Sequence, residues 1–154
     1  SQYLEDAYII HKVNRYDIHG KRLFESNDKF YFEDHGLRNA QAEGTREGDI
    51  EKVIENTIYQ HLIGLGYKVN VGQLQAGEIF FVCTKKAGTK RIYIQAAYII
   101  ANDETREREF GNLHNIKDNY PQYVVSMTPG VTRNDDNGIT HLHLRNFLML
   151  ENLD

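Results

Sequence analysis

Two apolar runs on either side of a short basic turn limit the folds open to this chain more than any other feature. Glu78–Cys83 (EIFFVC) and Ile92–Tyr98 (IYIQAAY) flank the turn Lys85-Lys86-Ala87-Gly88-Thr89-Lys90-Arg91. Runs rich in β-branched and aromatic residues, opened by Gly77 and bounded by charge, fit strands covered on both faces. The neighbouring segments supply the cover. Asp49 reads as the N-cap of a helix in which Ile50, Val53, Ile54, Ile58, Leu62 and Leu65 recur at three- and four-residue spacing, with Gly64 and Gly66 at its end. A strand follows over residues 68–74. After the hairpin, Asn102 opens a second helix with Phe110, Leu113 and Ile116 on one face and Asn119 and Pro121 as its stop. A strand is expected over 123–127, a turn at Asn134–Gly138, a strand over 139–144 and a helical turn over 145–150. Three strands joined by tight turns and then a helical crossover require a mixed sheet flanked by helices, so the fold class is α/β with αβββαβ order.

The first 47 residues read as an appendage. A short helix over 2–9 leads to a strand from about Ile10 to Asp17, a turn at His19-Gly20-Lys21 and a return strand at 22–24. A second turn at Ser26–Asp28, a strand over 29–32 and a helical turn over 34–40 complete a winged-helix-like outline. Residues 41–48 read as the linker, so the expected units are 1–47 and 48–154.

Composition narrows the function classes. A chain of 154 residues with 40% hydrophobic and 26% charged residues can bury a core amounting to roughly 70% of its unfolded surface. Net charge is −4 and the pI about 6.0, so no global basic field favours nucleic acid. The single Cys83 excludes a disulfide scaffold or a cysteine zinc site, and it points to a reducing, cytoplasmic setting. No apolar run approaches the ~18 residues of a membrane span. The chain has no initiating Met and opens on what reads as a helix already under way, which suggests a piece of a longer protein.

The motifs Tyr8-Ile9-Ile10, Val13–Ile18, Gly20-Lys21, Asp34–Asn39, Glu55–Tyr59, Gly66-Tyr67, Tyr93–Tyr98, Glu104–Phe110 and Lys117–Pro121, in this order, resemble one family. It is the domain at the C-terminus of bacterial and archaeal AAA-type ATPases, with a core similar to PD-(D/E)XK restriction endonucleases. The resemblance implies an ATPase module upstream as partner, and it would be that module that holds ATP and Mg²⁺. No GxxxxGK[ST] phosphate loop occurs in these residues, so no cofactor is expected here.

A nuclease of that fold holds Mg²⁺ on carboxylates and uses a lysine beside the attacking water. Under the resemblance, the helix acid matches Glu55, the strand acid falls on Phe80, the next acid on Gln95 and the lysine on Ala97. Glu78 is a candidate substitute, but alternation puts it about 6.8 Å from position 80 on the same face, near the rim. The expectation is a vestigial site without metal: a scaffold serving partner or nucleic-acid contact. A Mg²⁺-dependent nuclease using Glu55 and Glu78 is the enzymatic alternative. Glu55 has a plainer reading as hydrogen-bond partner of Tyr93, Tyr98 or Gln95.

Lys85, Lys86, Lys90 and Arg91 are the candidate phosphate contacts, with Lys12, Arg15, Lys21 and Arg22 extending a basic strip; otherwise the turn is a solvated tip. The bound partner is then DNA or another protein. The run Asp103–Glu109 reads as a helix surface with i,i+4 pairs. His141 and His143 share one strand face as an HxH pair, read as half-exposed on an edge strand rather than zinc-binding.

Overall fold

The computed structural model describes residues 10–17, 22–32, 46–73 and 79–153. Eight strands of the described residues form one mixed sheet: β1 (Ile10–Asp17), β2 (Arg22–Phe32), β3 (Lys68–Gln73), β4 (Ile79–Lys85), β5 (Lys90–Ala96), β6 (Gln122–Ser126), β7 (Arg133–Asp136) and β8 (Ile139–His143). Among the described residues, three α-helices accompany them: α1 (Arg46–Gly64), α2 (Asp103–His114) and α3 (Leu144–Leu148). The order across the sheet is β2-β1-β3-β4-β5-β6-β8-β7. β3, β4 and β5 are an antiparallel meander, and α2 then carries the chain to β6, which runs parallel to β5. The α/β class and the helix–three strands–helix–strand order are as expected.

Strand alternation divides the core in two. Val69, Val71, Phe81, Cys83, Ile92, Ile94 and Val125 pack with Ile54, Ile58 and Leu62 of α1. Phe80, Val82, Tyr93 and Val124 pack with Phe110 and Leu113 of α2. The two apolar runs of the hairpin are thus apolar throughout because each face meets its own helix.

α1 ends as its glycines foretell. Gly66 has φ +88, Tyr67 N–H donates to the Leu62 carbonyl at 3.0 Å and Gly66 N–H to that of Ile63 at 2.9 Å. This is the Schellman arrangement, and its apolar contact is present because Leu62 and Tyr67 share one core cluster. The helix starts earlier than expected, at Arg46, so Asp49 lies inside it rather than capping it. α2 is capped where expected, with Asn102 Oδ1 accepting from Thr105 N–H at 2.8 Å, but it ends at His114, ahead of Asn119 and Pro121.

Gly72 has a packing role. It pairs with Phe80 across β3 and β4, and a Cβ added there would lie 2.6 Å from the Phe80 ring. The ring covers the bare backbone, a close approach only glycine permits. Gly72→Ala is expected to cost about 1–3 kcal/mol, as overpacking does, read as a lowered urea midpoint with unchanged slope.

Two turns come out differently. Ser26–Asp28 does not separate two strands, because β2 runs continuously from Arg22 to Phe32. Val13 pairs with Lys29 and Arg15 with Phe24, so residues 25–28 stand opposite Asn14 alone, as a bulge. The turn expected over 134–138 is confined to Asn137-Gly138, with φ +49 and +85, and it joins β7 to β8. β1 pairs in parallel with β3, which carries the sheet into the first 47 residues. The expected helices at 2–9 and 34–40 and the turn at 19–21 lie outside the described residues.

Candidate functional site

The strand positions at which the resembled nucleases carry acids, Phe80 and Gln95, fall on the α2 face. Phe80 is 2% exposed and meets Tyr93 edge-on, with ring centroids 5.9 Å apart. Ala97 is buried. Gln95 is 3% exposed, and its Nε2 donates to Glu109 Oε2 of α2 at 2.9 Å. Its Oε1 is buried without a hydrogen-bond partner. Glu55 is half-buried on α1, which packs on the other face of the sheet. Glu78 lies outside the described residues. The partner of Gln95 is therefore Glu109, and that of the Tyr93 hydroxyl is Asp118, rather than Glu55. Burial, then the bond to Asp118, holds the Tyr93 phenol well above its ordinary range.

Glu109 escaped the sequence reading. The run Asp103–Glu109 is not a uniform solvated face. Its last residue is buried and accepts from its neighbour Arg108 at 3.1 Å as well as from Gln95. Arg106 instead pairs with Asp136 of β7 and lies over the Phe110 ring at 4.7 Å. The signal was available, since Glu109 stands four residues before Leu113 on the apolar side of α2.

A second polar group lies at the C-terminal ends of the parallel strands. Ser126 Oγ of β6 is 2.7 Å from His141 Nε2 of β8 and 2.8 Å from Thr128 Oγ1, and it accepts from Thr128 N–H at 3.2 Å. His141 is 3% exposed, on a strand between β6 and β7, so it is not on a half-exposed edge. His143 Nδ1 accepts from Arg145 N–H and caps α3. The two histidines therefore have separate structural partners. No group of three or more His, Cys, Asp or Glu side chains able to hold a metal occurs among the described residues. Ser126 is fully buried, which denies its hydroxyl a substrate.

Burial, helped by Arg106 and His143, lowers the His141 pKa below 6.5. The unfolded chain then binds more protons than the folded one between the two values. Stability is complete above about pH 6.5 and is lost as pH falls from there toward the folded value. Urea unfolding from pH 7.5 to 5 should show this loss, and His141→Gln should flatten that part of the profile.

The four cations of the hairpin turn divide between its faces. Lys90 shares parity with Ile92, on the α1 face, while Arg91 shares parity with Tyr93, on the α2 face. Lys85 sits 4.1 Å above the Tyr67 ring. On the α2 side is a groove of about 500 Å³ whose lining includes Lys68, Asn70, Thr84, Lys86 and Arg91. Lys68 and Asn70, from β3, were not singled out from sequence. Their signal is alternation, since they interleave with Val69 and Val71 of the core. Lys12, Arg15 and Arg22 are on the described strands β1 and β2, whereas Lys21 lies outside the described residues. The turn holds two non-glycine residues at left-handed φ, Lys86 at +51 and Ala87 at +54. Each costs about 1 kcal/mol. Ala87→Gly is expected to stabilise by about 0.5–1 kcal/mol, measured as a raised thermal midpoint.

Cys83 is buried and its thiol is pushed up by desolvation, the condition of an unreactive core thiol. No described helix is long and apolar enough to cross a membrane.

No family model matches the chain, and no solved structure does. The chain is similar to an uncharacterised protein of Haemophilus influenzae, 35% identical over 123 residues. That match takes in 80% of this chain but 29% of the relative, so the chain spans less than a third of the protein it resembles.

Proposed function

We propose that this chain is a non-catalytic interaction module of a longer AAA-type ATP-binding protein, cytoplasmic, with a nuclease-type scaffold kept for its surface. One observation carries this reading. The three positions that would bear the acids and lysine of a nuclease are Phe80, Gln95 and Ala97; all three are buried, and Phe80 and Gln95 are built into the packing beneath α2. A Mg²⁺ site needs open carboxylate oxygens and room for water, and a phenyl ring and a methyl group supply neither. The longer relative, of which 29% is matched, supports the placement of this module within a larger protein.

The test is cleavage of plasmid and single-stranded DNA with Mg²⁺ or Mn²⁺, using this chain alone. No turnover is expected above a buffer control. Metal-dependent cleavage abolished by Glu55→Ala would overturn the proposal in favour of the Glu55–Glu78 nuclease.

A further inference from the structure

The groove beside the hairpin differs in charge from the rest of the chain. Its described lining carries four cations (Lys68, Lys85, Lys86 and Arg91) and no acid, in a chain of net charge −4. Concentrating like charge in a concavity raises the local anion concentration, whatever the net charge. The cations are also arranged in order. Lys68 pairs with Thr84 and Thr84 with Arg91, so one row crosses β3, β4 and β5 on the α2 face. At about 4.8 Å between strands, its two cationic ends are about 9.6 Å apart at the backbone. Lys86 projects from the strained tip at one side of that row. At the other side, Arg91 lies 5.5 Å from the ring of Tyr120, which is 40% exposed.

Arg91 is held in place by its surroundings. The Tyr93 hydroxyl bonds to Asp118, Arg91 lies close enough to lower the pKa of that hydroxyl, and the Tyr93 and Tyr120 rings meet edge-on at 6.4 Å. A guanidinium fixed between two tyrosines is an ordered phosphate donor that loses little freedom on binding. Lys68 and Lys86 are the mobile share of the attraction.

From this arrangement we infer that the groove binds the backbone of single-stranded nucleic acid. Lys68, Lys86 and Arg91 contact successive phosphates and Tyr120 stacks a base. Cations spread along a row suit a chain of phosphates better than one anion, and a half-exposed aromatic at the end of the row needs an unpaired base to stack on. This rests on the reading of the chain as an interaction module and names its ligand. The cleavage assay above and the binding assay below can fail independently.

The experiment is fluorescence-anisotropy titration of the whole chain with a labelled oligothymidylate, an equal-length duplex and ATP at several salt concentrations. Saturable oligothymidylate binding that weakens with salt, and exceeds that of duplex and ATP, is expected. Lys68→Gln with Lys86→Gln should weaken it about tenfold and lower the salt slope by about 1.4, two contacts at 0.7 each. Tyr120→Ala should weaken it by about fivefold or more without altering that slope. Lys90→Gln, on the opposite face, should leave affinity within about twofold, allowing for the long-range field alone. Equal or tighter binding of duplex or ATP would overturn the inference. So would unchanged binding by the Lys68/Lys86 pair, or an equal loss from Lys90→Gln. Circular dichroism of each variant should match the parent chain, because the replaced lysines and Tyr120 lie outside the apolar clusters.

Discussion

Phe80→Asp, which restores the residue type that the resembled nucleases carry, is expected to unfold the protein rather than to revive a metal site. Phe80 is among the largest fully buried side chains, in contact with Tyr93 and lying over the bare backbone of Gly72. Truncating such a phenylalanine costs about 3–5 kcal/mol through lost burial and the cavity left behind. An aspartate adds the desolvation of a carboxyl group for which the surrounding Val82, Tyr93 and Phe110 offer no matching charge. Together these approach the whole stability of a domain, about 5–15 kcal/mol. Circular dichroism at pH 7 should show loss of the folded signal, whereas Phe80→Leu should remain folded and lose less than about 2 kcal/mol. A folded Phe80→Asp that binds Mn²⁺ by calorimetry would mean that the position retains the environment of a metal ligand.

The second large effect is expected at Gln95. Its amide donates to Glu109 at 2.9 Å, so Gln95→Glu sets two buried carboxyl groups against each other. Like charges at that distance cannot both ionise cheaply, and one of the pair is expected to keep its proton to a raised pKa. A rise of two units corresponds to about 2.7 kcal/mol lost at pH 7. The folded pKa is raised above the unfolded value, so the deficit is full above the folded pKa. It shrinks as pH falls toward the unfolded value of about 4.3. Urea midpoints of Gln95→Glu and the parent chain should therefore converge between pH 7.5 and 5. The double variant Gln95→Glu/Glu109→Gln exchanges donor and acceptor and should recover most of the loss at pH 7. A deficit independent of pH would identify a lost hydrogen bond, not charge, as the cause.

What the sequence revealed and what it hid follow from the range of the interactions involved. The end of α1 was legible because a Schellman turn is written in adjacent residues, with Gly66 at the left-handed position and Leu62 and Tyr67 closing the contact. The cap at Asn102 was legible for the same reason. The two-faced burial of β4 and β5 was legible because both parities are apolar. β7 was missed, since Arg133-Asn134-Asp135-Asp136 carries no alternation and is a strand only because Asn137-Gly138 folds it back on β8. Glu109 and Gln95 were each visible, but their bond joins residues 14 apart through a helix–sheet contact that no local pattern specifies. The division of Lys90 from Arg91 follows from alternation once the strand is extended to Lys90, two residues ahead of Ile92, where the apolar run suggested it began.

β7 also has a consequence for growth of the sheet. It ends the sheet, and Arg133, Asn134 and Asp135 along it are exposed. An open strand edge offers unpaired amides and carbonyls to any other extended chain, and charge along it is what discourages that docking. Asp136 is anchored inward to Arg106 of α2, which fixes the last residue before the turn. A second copy approaching this border to extend the ladder would have to strip water from these polar and charged side chains. Replacing Arg133 and Asp135 with valines would turn this border into a template for fibrous assembly, while the core stayed the same.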